Sequence, residues 1–120
     1  MFVADSSYLV EGLLRDASLL EREAMVAPDI ALYEVVNAVW KHEVVLKDMK
    51  DGRQYIELLL ELASTNAIRF VKPDAQIARK AYELACKKRC TFYDAAFVAL
   101  AQELGIELKT FDDEQRRIAP

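Results

Sequence analysis

The 120-residue sequence contains few of the residues that mark several common protein classes. Two cysteines, Cys86 and Cys90, and a single histidine, His42, are too few for a disulfide framework or a closed zinc site. The spacing of the cysteines would allow a bridge only if a helix end unwound, so two free thiols are the favoured interpretation, with their redox state left open. No apolar run approaches the roughly 18 residues of a membrane-spanning helix, and no basic stretch precedes the first apolar segment, so we expect a cytoplasmic protein.

Glycine and proline are also scarce, at three residues each, and the sequence has no repeat, linker or low-complexity segment. With 53% hydrophobic residues, the chain has ample material for one core, and we predict a single domain over residues 1–120. The net charge of −4 argues against holding nucleic acid by bulk electrostatics. If four carboxylates bound cations, however, the remaining acidic residues would only equal the 16 basic ones, which removes most of the repulsion toward phosphate.

Short apolar segments alternate with helical patterns along the chain. Because each parallel strand needs a crossover to begin the next, this order predicts an α/β fold: three layers, α/β/α, around a central parallel sheet of four to five short strands. The predicted strands are Phe2-Val3-Ala4, Met25-Val26-Ala27, residues 68–71 and residues 106–111. The predicted helices span residues 7–15, 17–23, 30–44, 54–64, 73–88, 91–104 and 112–117.

Three local features refine this assignment. Pro28 marks a strand end and Asp29 the predicted cap of the next helix. Gly105 is predicted to end the helix that begins near Thr91. The helix from Gln54 to Ser64 is apolar nearly all round, so we expect the core or a second subunit to bury it.

Four acidic residues are predicted to lie at one end of the sheet. Asp5 and Asp112 directly follow strands, where open parallel sheets collect their ligands. Glu34 lies about two turns into the second main helix, and Asp94 lies in the first turn of the helix near Thr91. All four can point toward the carboxyl ends of the strands.

Each acid also has an ordinary structural interpretation. Asp5 and Asp112 could be helix caps, and Thr91 with Asp94 fits a capping box. A polar stripe of Glu34, Asn37 and Lys41 would usually be a solvated helix face. The convergence favours function, because grouped carboxylates repel one another unless cations or protons neutralise them. Oxygen ligands alone favour Mg²⁺ or Mn²⁺ over zinc or copper.

The acids and their surroundings resemble the PIN domain family, and within it the VapC-type toxins of prokaryotic toxin–antitoxin pairs. The resemblance covers essentially the whole chain. Four segments carry it, namely Val3-Ala4-Asp5-Ser6-Ser7, residues 28–41 around Glu34, residues 91–101 around Asp94, and Leu108-Lys109-Thr110-Phe111-Asp112.

The resemblance implies a divalent-metal-dependent endoribonuclease that cleaves RNA with metal-activated water, using one or two Mg²⁺ or Mn²⁺ ions. Asp5, Asp94 and Asp112 would bind metal directly, and Glu34 would bind metal too, through water, or orient the nucleophile. Ser6, Asn37 and Thr110 would support these ligands. The family also implies inhibition by a VapB-like antitoxin and a homodimer, for which residues 54–64 are one candidate surface.

The sequence departs from the family pattern in two places. Asp113 follows Asp112 and could serve as the fourth ligand, although the spacing from Thr110 favours Asp112. No clear fifth strand follows, which leaves a sheet edge open to a partner.

Two other functions compete with a nuclease. A non-catalytic PIN-like binding module is disfavoured because all four acids are present. A phosphorelay receiver would need an acid pair at the first strand end, where Asp5-Ser6-Ser7 supplies one acid. The target RNA is not determined, and basic residues such as Lys41, Lys47, Arg116 and Arg117 have an ordinary surface role as their simplest interpretation.

Overall fold

A four-stranded parallel sheet lies at the centre of the computed structural model, which describes residues 1–119. Its strand order is β3-β2-β1-β4, and every neighbouring pair is parallel. The strands are β1 (Phe2–Ala4), β2 (Met25–Pro28), β3 (Ile68–Val71) and β4 (Leu108–Lys109). The predicted parallel α/β fold is therefore confirmed.

Six α-helices form the crossovers and the outer layers of the described chain. They are α1 (Ser6–Leu14), α2 (Ile30–Trp40), α3 (Arg53–Ser64), α4 (Ala75–Lys88), α5 (Phe92–Leu104) and α6 (Asp113–Ile118). A 3₁₀ turn, Ala17–Leu20, follows α1, and a π turn, Lys41–Val45, extends α2. Among residues 1–119, no helix combines the length and the apolar character needed to cross a membrane.

Alternate residues of β1 pack on opposite faces of the sheet, as the two-residue period of a strand requires. Phe2 and Ala4 join a core cluster with residues of α1, α2 and α3. Val3 joins a second cluster with residues of α4 and α5, including Ala81 and Ala99. Helices therefore cover both faces, which gives the predicted three layers.

Several element boundaries differ from the predicted ones. Residues 17–23 form only the 3₁₀ turn, because Asp16 accepts a hydrogen bond from the Ser18 backbone and closes a tight turn just before β2 begins. The last strand is limited to Leu108 and Lys109, since these residues pair with a β1 strand of only three residues.

Two predicted helix ends have different outcomes. Gly105 ends α5 with φ of +66°, as predicted. Asp29 precedes α2 but makes no capping hydrogen bond with its side chain, so its predicted role as a cap is wrong. Its backbone is already helical, which points the carboxylate away from the amides that a cap must reach.

Helix α3 is amphipathic in the structure, which corrects the expectation of a helix apolar on all sides and buried all round. Leu59 is its only fully buried residue, whereas Leu60 is 46% exposed and Glu57 and Glu61 are exposed. The acidic residues break the apolar surface into one inward face, so α3 needs no second subunit for its burial.

The two neighbouring leucines of α3 provide a direct test of this packing. We expect Leu59→Ala to lower the free energy of unfolding by about 2–5 kcal/mol, because it leaves a cavity in the core. Leu60→Ala should change it by no more than about 0.5 kcal/mol. Urea unfolding at low protein concentration measures both, and equal losses would contradict the one-sided packing of α3.

Candidate active site

Asp5 occupies the carboxyl end of β1, where its buried carboxylate is held by three protein donors. Oδ1 accepts hydrogen bonds from the Ser7 hydroxyl at 2.7 Å and the Tyr8 backbone at 2.9 Å. Oδ2 accepts a hydrogen bond from the Thr110 hydroxyl at 2.5 Å. Asp5 therefore caps α1, as its ordinary interpretation predicts, and also joins the two ends of the chain. These donors stabilise a carboxylate that burial alone would disfavour.

Thr110 and Ser7 connect the loop after β4 to the start of α1. The Thr110 hydroxyl accepts a hydrogen bond from the Asp112 backbone at 2.9 Å, and the Ser7 hydroxyl accepts one from the Phe111 backbone at 2.9 Å. Thr110 therefore holds Asp5, and its support of a metal ligand stays a prediction. Ser7 was not predicted as one, although its place two residues after Asp5 allows this local bond.

Glu34 projects from α2, where Ser6 donates a hydrogen bond to Oε1 at 2.8 Å. Partial burial raises the pKa of the Glu34 carboxyl above its ordinary value, and the negative charges of Asp94 and Asp5 raise it further. The Ser6 hydrogen bond opposes this rise in pKa. Because these charges act on Glu34, the structure brings this helix residue to the end of β1 where Asp5 lies.

Asp94 lies in the first turn of α5, where its backbone donates to the Thr91 hydroxyl at 3.1 Å, as the capping pattern predicts. Partial burial is the largest cause that raises the pKa of its carboxyl, and hydrogen bonding with Thr91 opposes it. The charges of Asp112, Glu114 and Asp5 raise this pKa further. Acids at the end of β1 and around the start of α6 therefore both affect the pKa of Asp94.

The start of α6 carries the fourth predicted acid. Asp112 is exposed and caps α6 by accepting a hydrogen bond from the Glu114 backbone at 3.0 Å. Asp113 points to solvent and bonds to Arg116, whereas Glu114 lies near enough to act on Asp94. Glu114 was missed by the sequence argument, which weighed only Asp112 and Asp113 at this position.

Gln115 attaches α6 to α5 and was not predicted. Its side chain is buried, and Nε2 donates a hydrogen bond to the Asp94 backbone carbonyl at 3.1 Å. The other amide atom, Oε1, is buried and has no partner among residues 1–119. Its neighbours in α6 are charged, so nothing in the local sequence distinguishes Gln115 from a surface residue.

The arrangement of the acids differs from a closed metal cage. Within the described part of the chain, no three His, Cys, Asp or Glu side chains are grouped closely enough to hold a metal ion. Their oxygen donors do have the chemistry that Mg²⁺ and Mn²⁺ prefer. Asn37 is exposed and forms no side-chain hydrogen bond within residues 1–119, so its supporting role stays a prediction.

A parallel sheet with acids at the carboxyl ends of its strands defines the class of the protein as an α/β domain with a carboxylate-lined edge. The PIN domain family model matches residues 3–119, and the chain belongs to this family. The predicted PIN relationship is therefore confirmed.

Two proteins from Pyrobaculum aerophilum are similar to this chain. The curated relative named Ribonuclease VapC3 is 37% identical over 84 residues, which are 70% of this chain. The chain matches 63% of the length of that relative. The crystal structure of PAE2754 has a TM-score of 0.77 at 20% identity, with 98% of this chain and 84% of that one covered, so it shares the fold.

Thr110 offers a test of the interactions that hold Asp5. Thr110→Val keeps the shape of the side chain but removes the donor to Asp5, and we expect it to lower the free energy of unfolding by about 1–3 kcal/mol. Thr65→Val is the matched control, because the Thr65 hydroxyl bonds only to a carbonyl at an exposed helix end. Urea unfolding measures the free energy of unfolding of both variants. If Thr110→Val lowers it no more than the control does, Thr110 has no role in holding Asp5.

The raised pKa of Asp94 predicts a pH-dependent gain in stability for Asp94→Asn. Between the ordinary carboxyl pKa of 3.8 and its raised folded value, the folded state binds more protons than the unfolded state, so stability falls as pH rises through this range. We therefore expect Asp94→Asn in EDTA to have a higher Tm than the wild type at about pH 8, with a smaller difference at about pH 5. Thermal unfolding at both pH values measures this, and a variant less stable at the higher pH would be the contrary result.

Proposed function

We propose that this protein is a VapC-type endoribonuclease that depends on a divalent cation. The observation that carries the proposal is the approach of the four acids at one edge of a PIN domain sheet, where Asp5 and Asp94 raise the pKa of Glu34, and Asp5 and Asp112 raise the pKa of Asp94. The similarity to a protein named Ribonuclease VapC3 supports RNA as the substrate. The cytoplasmic location and the single domain over residues 1–120 belong to the same proposal.

Asp5, Asp94 and Asp112 are the proposed direct ligands of one or two Mg²⁺ or Mn²⁺ ions. The bound metal would supply a Lewis acid that lowers the pKa of water and neutralises charge on the phosphate. The three acids belong to separate elements: Asp5 follows β1, Asp94 lies in the first turn of α5, and Asp112 caps α6. Gln115 fixes α6 against α5, since its side chain donates a hydrogen bond to the carbonyl of Asp94.

The hydrogen bonds already present decide which oxygens remain available. Asp5 Oδ1 already accepts two hydrogen bonds, whereas Oδ2 accepts one and keeps a lone pair for another partner. Ser6 holds Glu34 by Oε1, which leaves Oε2 available to accept a hydrogen bond from the attacking water.

The proposed partners are a VapB-like antitoxin and a second copy of the chain. Exposed apolar residues support a protein partner, because large side chains are usually covered when they occur together. Trp40, Val44, Val45 and Leu46 are about half exposed at the end of α2 and in the π turn. A cavity of about 330 Å³ lies beside them, between α2 and α3.

A non-catalytic PIN-like binding module is the second candidate. It is favoured by the absence of three metal-ligating side chains close together within residues 1–119. A binding module does not cleave RNA, so the charge of Asp94 would have no effect on cleavage. Cleavage therefore separates the two candidates.

The deciding experiment is cleavage of a mixed RNA pool with Mn²⁺ and with EDTA. We expect cleavage only with the metal, and a loss of more than about 100-fold in Asp94→Asn or Asp112→Asn, since changes to supporting residues alone cost about 10–100-fold. Asp113→Asn is the matched control and should retain activity, because Asp113 is exposed and paired with Arg116.

A metal titration gives a second measurement that does not depend on turnover. Mn²⁺ should raise the Tm of the wild type, because a ligand that binds only the folded state stabilises it. It should raise the Tm of Asp94→Asn much less. Equal RNA cleavage by the wild type and Asp94→Asn would overturn the nuclease proposal, and an equal Tm rise would overturn the proposed ligands.

A further inference from the structure

An aromatic pocket opens at the same sheet edge as the acids. We define it by its eight lining residues, which come from the ends of β2 and β3 and the starts of α2 and α5. They are Pro28, Asp29, Ile30, Tyr33, Pro73, Phe92, Tyr93 and Ala96. Its volume is about 150 Å³.

The aromatic residues of this pocket are unusually exposed. Tyr33 is 69% exposed, Tyr93 is 59% exposed, and Phe92 is 37% exposed. A folded protein usually buries Phe, and an exposed group of large apolar side chains marks a surface that binds something. Neither tyrosine hydroxyl forms a hydrogen bond to another group within residues 1–119, so both remain available to a ligand.

Tyr33 and Tyr93 are the chain neighbours of two acids, Glu34 and Asp94. Asp5, at the end of β1, raises the pKa of both acids, whereas the pocket lies over the ends of β2 and β3. Because β2 is adjacent to β1 and β3 lies beyond it, the pocket and the acids are side by side along one edge. A nucleic acid with a phosphate at the acids can therefore place a neighbouring base over the pocket.

The size and chemistry of the pocket select a flat ring. An enclosed apolar cavity of about 150 Å³ holds one benzene ring, and this open pocket can admit one face of a larger ring system. Exposed aromatic side chains are the platforms on which proteins stack unpaired bases. A base within a duplex could not enter, since both of its faces are already stacked.

Asp29 supplies the polar partner in the pocket. Its carboxylate caps no helix and forms no ion pair within the described chain, so both oxygens remain available as acceptors. Guanine presents two adjacent donors, N1–H and N2–H₂, that match both oxygens of a carboxylate. The other three bases each offer one donor group on this edge, which makes guanine the preferred ligand.

We propose that this pocket binds an unpaired guanine of the RNA substrate, stacked on Tyr93 with its Watson–Crick edge toward Asp29. The proposal rests on the proposed nuclease function, and names the base that the site selects next to the cleaved phosphate. Tyr33, Phe92 and Ala96 also line the pocket.

Binding measurements in a Glu34→Gln background test the proposal without RNA cleavage, because this change removes the group that orients the attacking water and keeps the three proposed direct metal ligands. The probes are short oligouridines, labelled with fluorescein, that carry one central guanosine, adenosine, cytidine or abasic site, measured by anisotropy with Mg²⁺. We expect Tyr93→Ala to weaken binding of the guanosine probe by about 5- to 150-fold, the change that about 1–3 kcal/mol of base stacking produces. Tyr93→Phe should preserve binding, because it keeps the ring.

Tyr82→Ala is the matched control, because Tyr82 is 65% exposed on α4 and does not line the pocket. It should bind the guanosine probe as the parent does. The abasic probe should bind Tyr93→Ala and the parent equally, since the stacked base is missing from both complexes. Asp29→Asn should reduce the preference for guanosine over the other three bases.

Equal binding of the guanosine probe by Tyr93→Ala and the parent would overturn the proposed base pocket. So would a finding that Tyr93→Ala weakens binding of the abasic probe as much as it weakens binding of the guanosine probe. A preference for guanosine that survives Asp29→Asn would overturn the role of Asp29. If Tyr93→Ala lost binding to a protein partner while RNA binding was unchanged, the pocket would be a protein interface and the proposal would fail. None of these results contradicts the nuclease proposal. That proposal fails only if the wild-type and Asp94→Asn proteins cleave RNA at the same rate.

Discussion

The buried carboxylate of Asp5 is the interaction on which the site depends. It lies at the end of the central strand β1 and accepts hydrogen bonds from both the start of α1 and Thr110, which follows β4. Burial of an unpaired carboxylate is costly, so these donors are required wherever Asp5 stays charged. The same bonds join residues more than a hundred positions apart and bring Asp112 toward the start of the chain.

Glu34 and Asp112 each accept a single hydrogen bond from within residues 1–119, compared with three for Asp5. Glu34 and Asp94 have raised pKa values because of burial and of neighbouring carboxylates. The folded protein therefore holds negative groups together at a cost in stability, which is common where function rather than folding selects the residues. The cost is limited because the four acids are spread over separate elements and Asp112 is exposed.

The aromatic pocket and the carboxylates form two chemically different halves of one edge. The carboxylates offer oxygen ligands, and the pocket offers flat apolar surface with the single carboxylate of Asp29. A nucleotide could contact both halves, with its phosphate bound to the carboxylates through cations and its planar base in the pocket. The net charge of −4 agrees with recognition by specific contacts rather than by a broad basic surface.

Much of the architecture was predictable from the sequence because it depends on local patterns. Alternation of strands and helices determined the parallel sheet, and Gly105 determined the end of α5, since only the order of residues and their backbone preferences are needed. The position of Asp5 after a strand, and of Asp94 after Thr91, placed both at the carboxyl edge for the same reason. The family assignment followed from these segments.

Other features were decided only by tertiary packing. The exposure of Leu60, the link from Gln115 to Asp94 and the role of Ser7 depend on which elements meet, and no local period encodes this. The four acids were predicted to meet at one end of the sheet, but within residues 1–119 no three of them lie close enough together to hold a metal ion. Local chemistry thus determined which residues could form a site, whereas their separation was set by the packing of whole helices against the sheet.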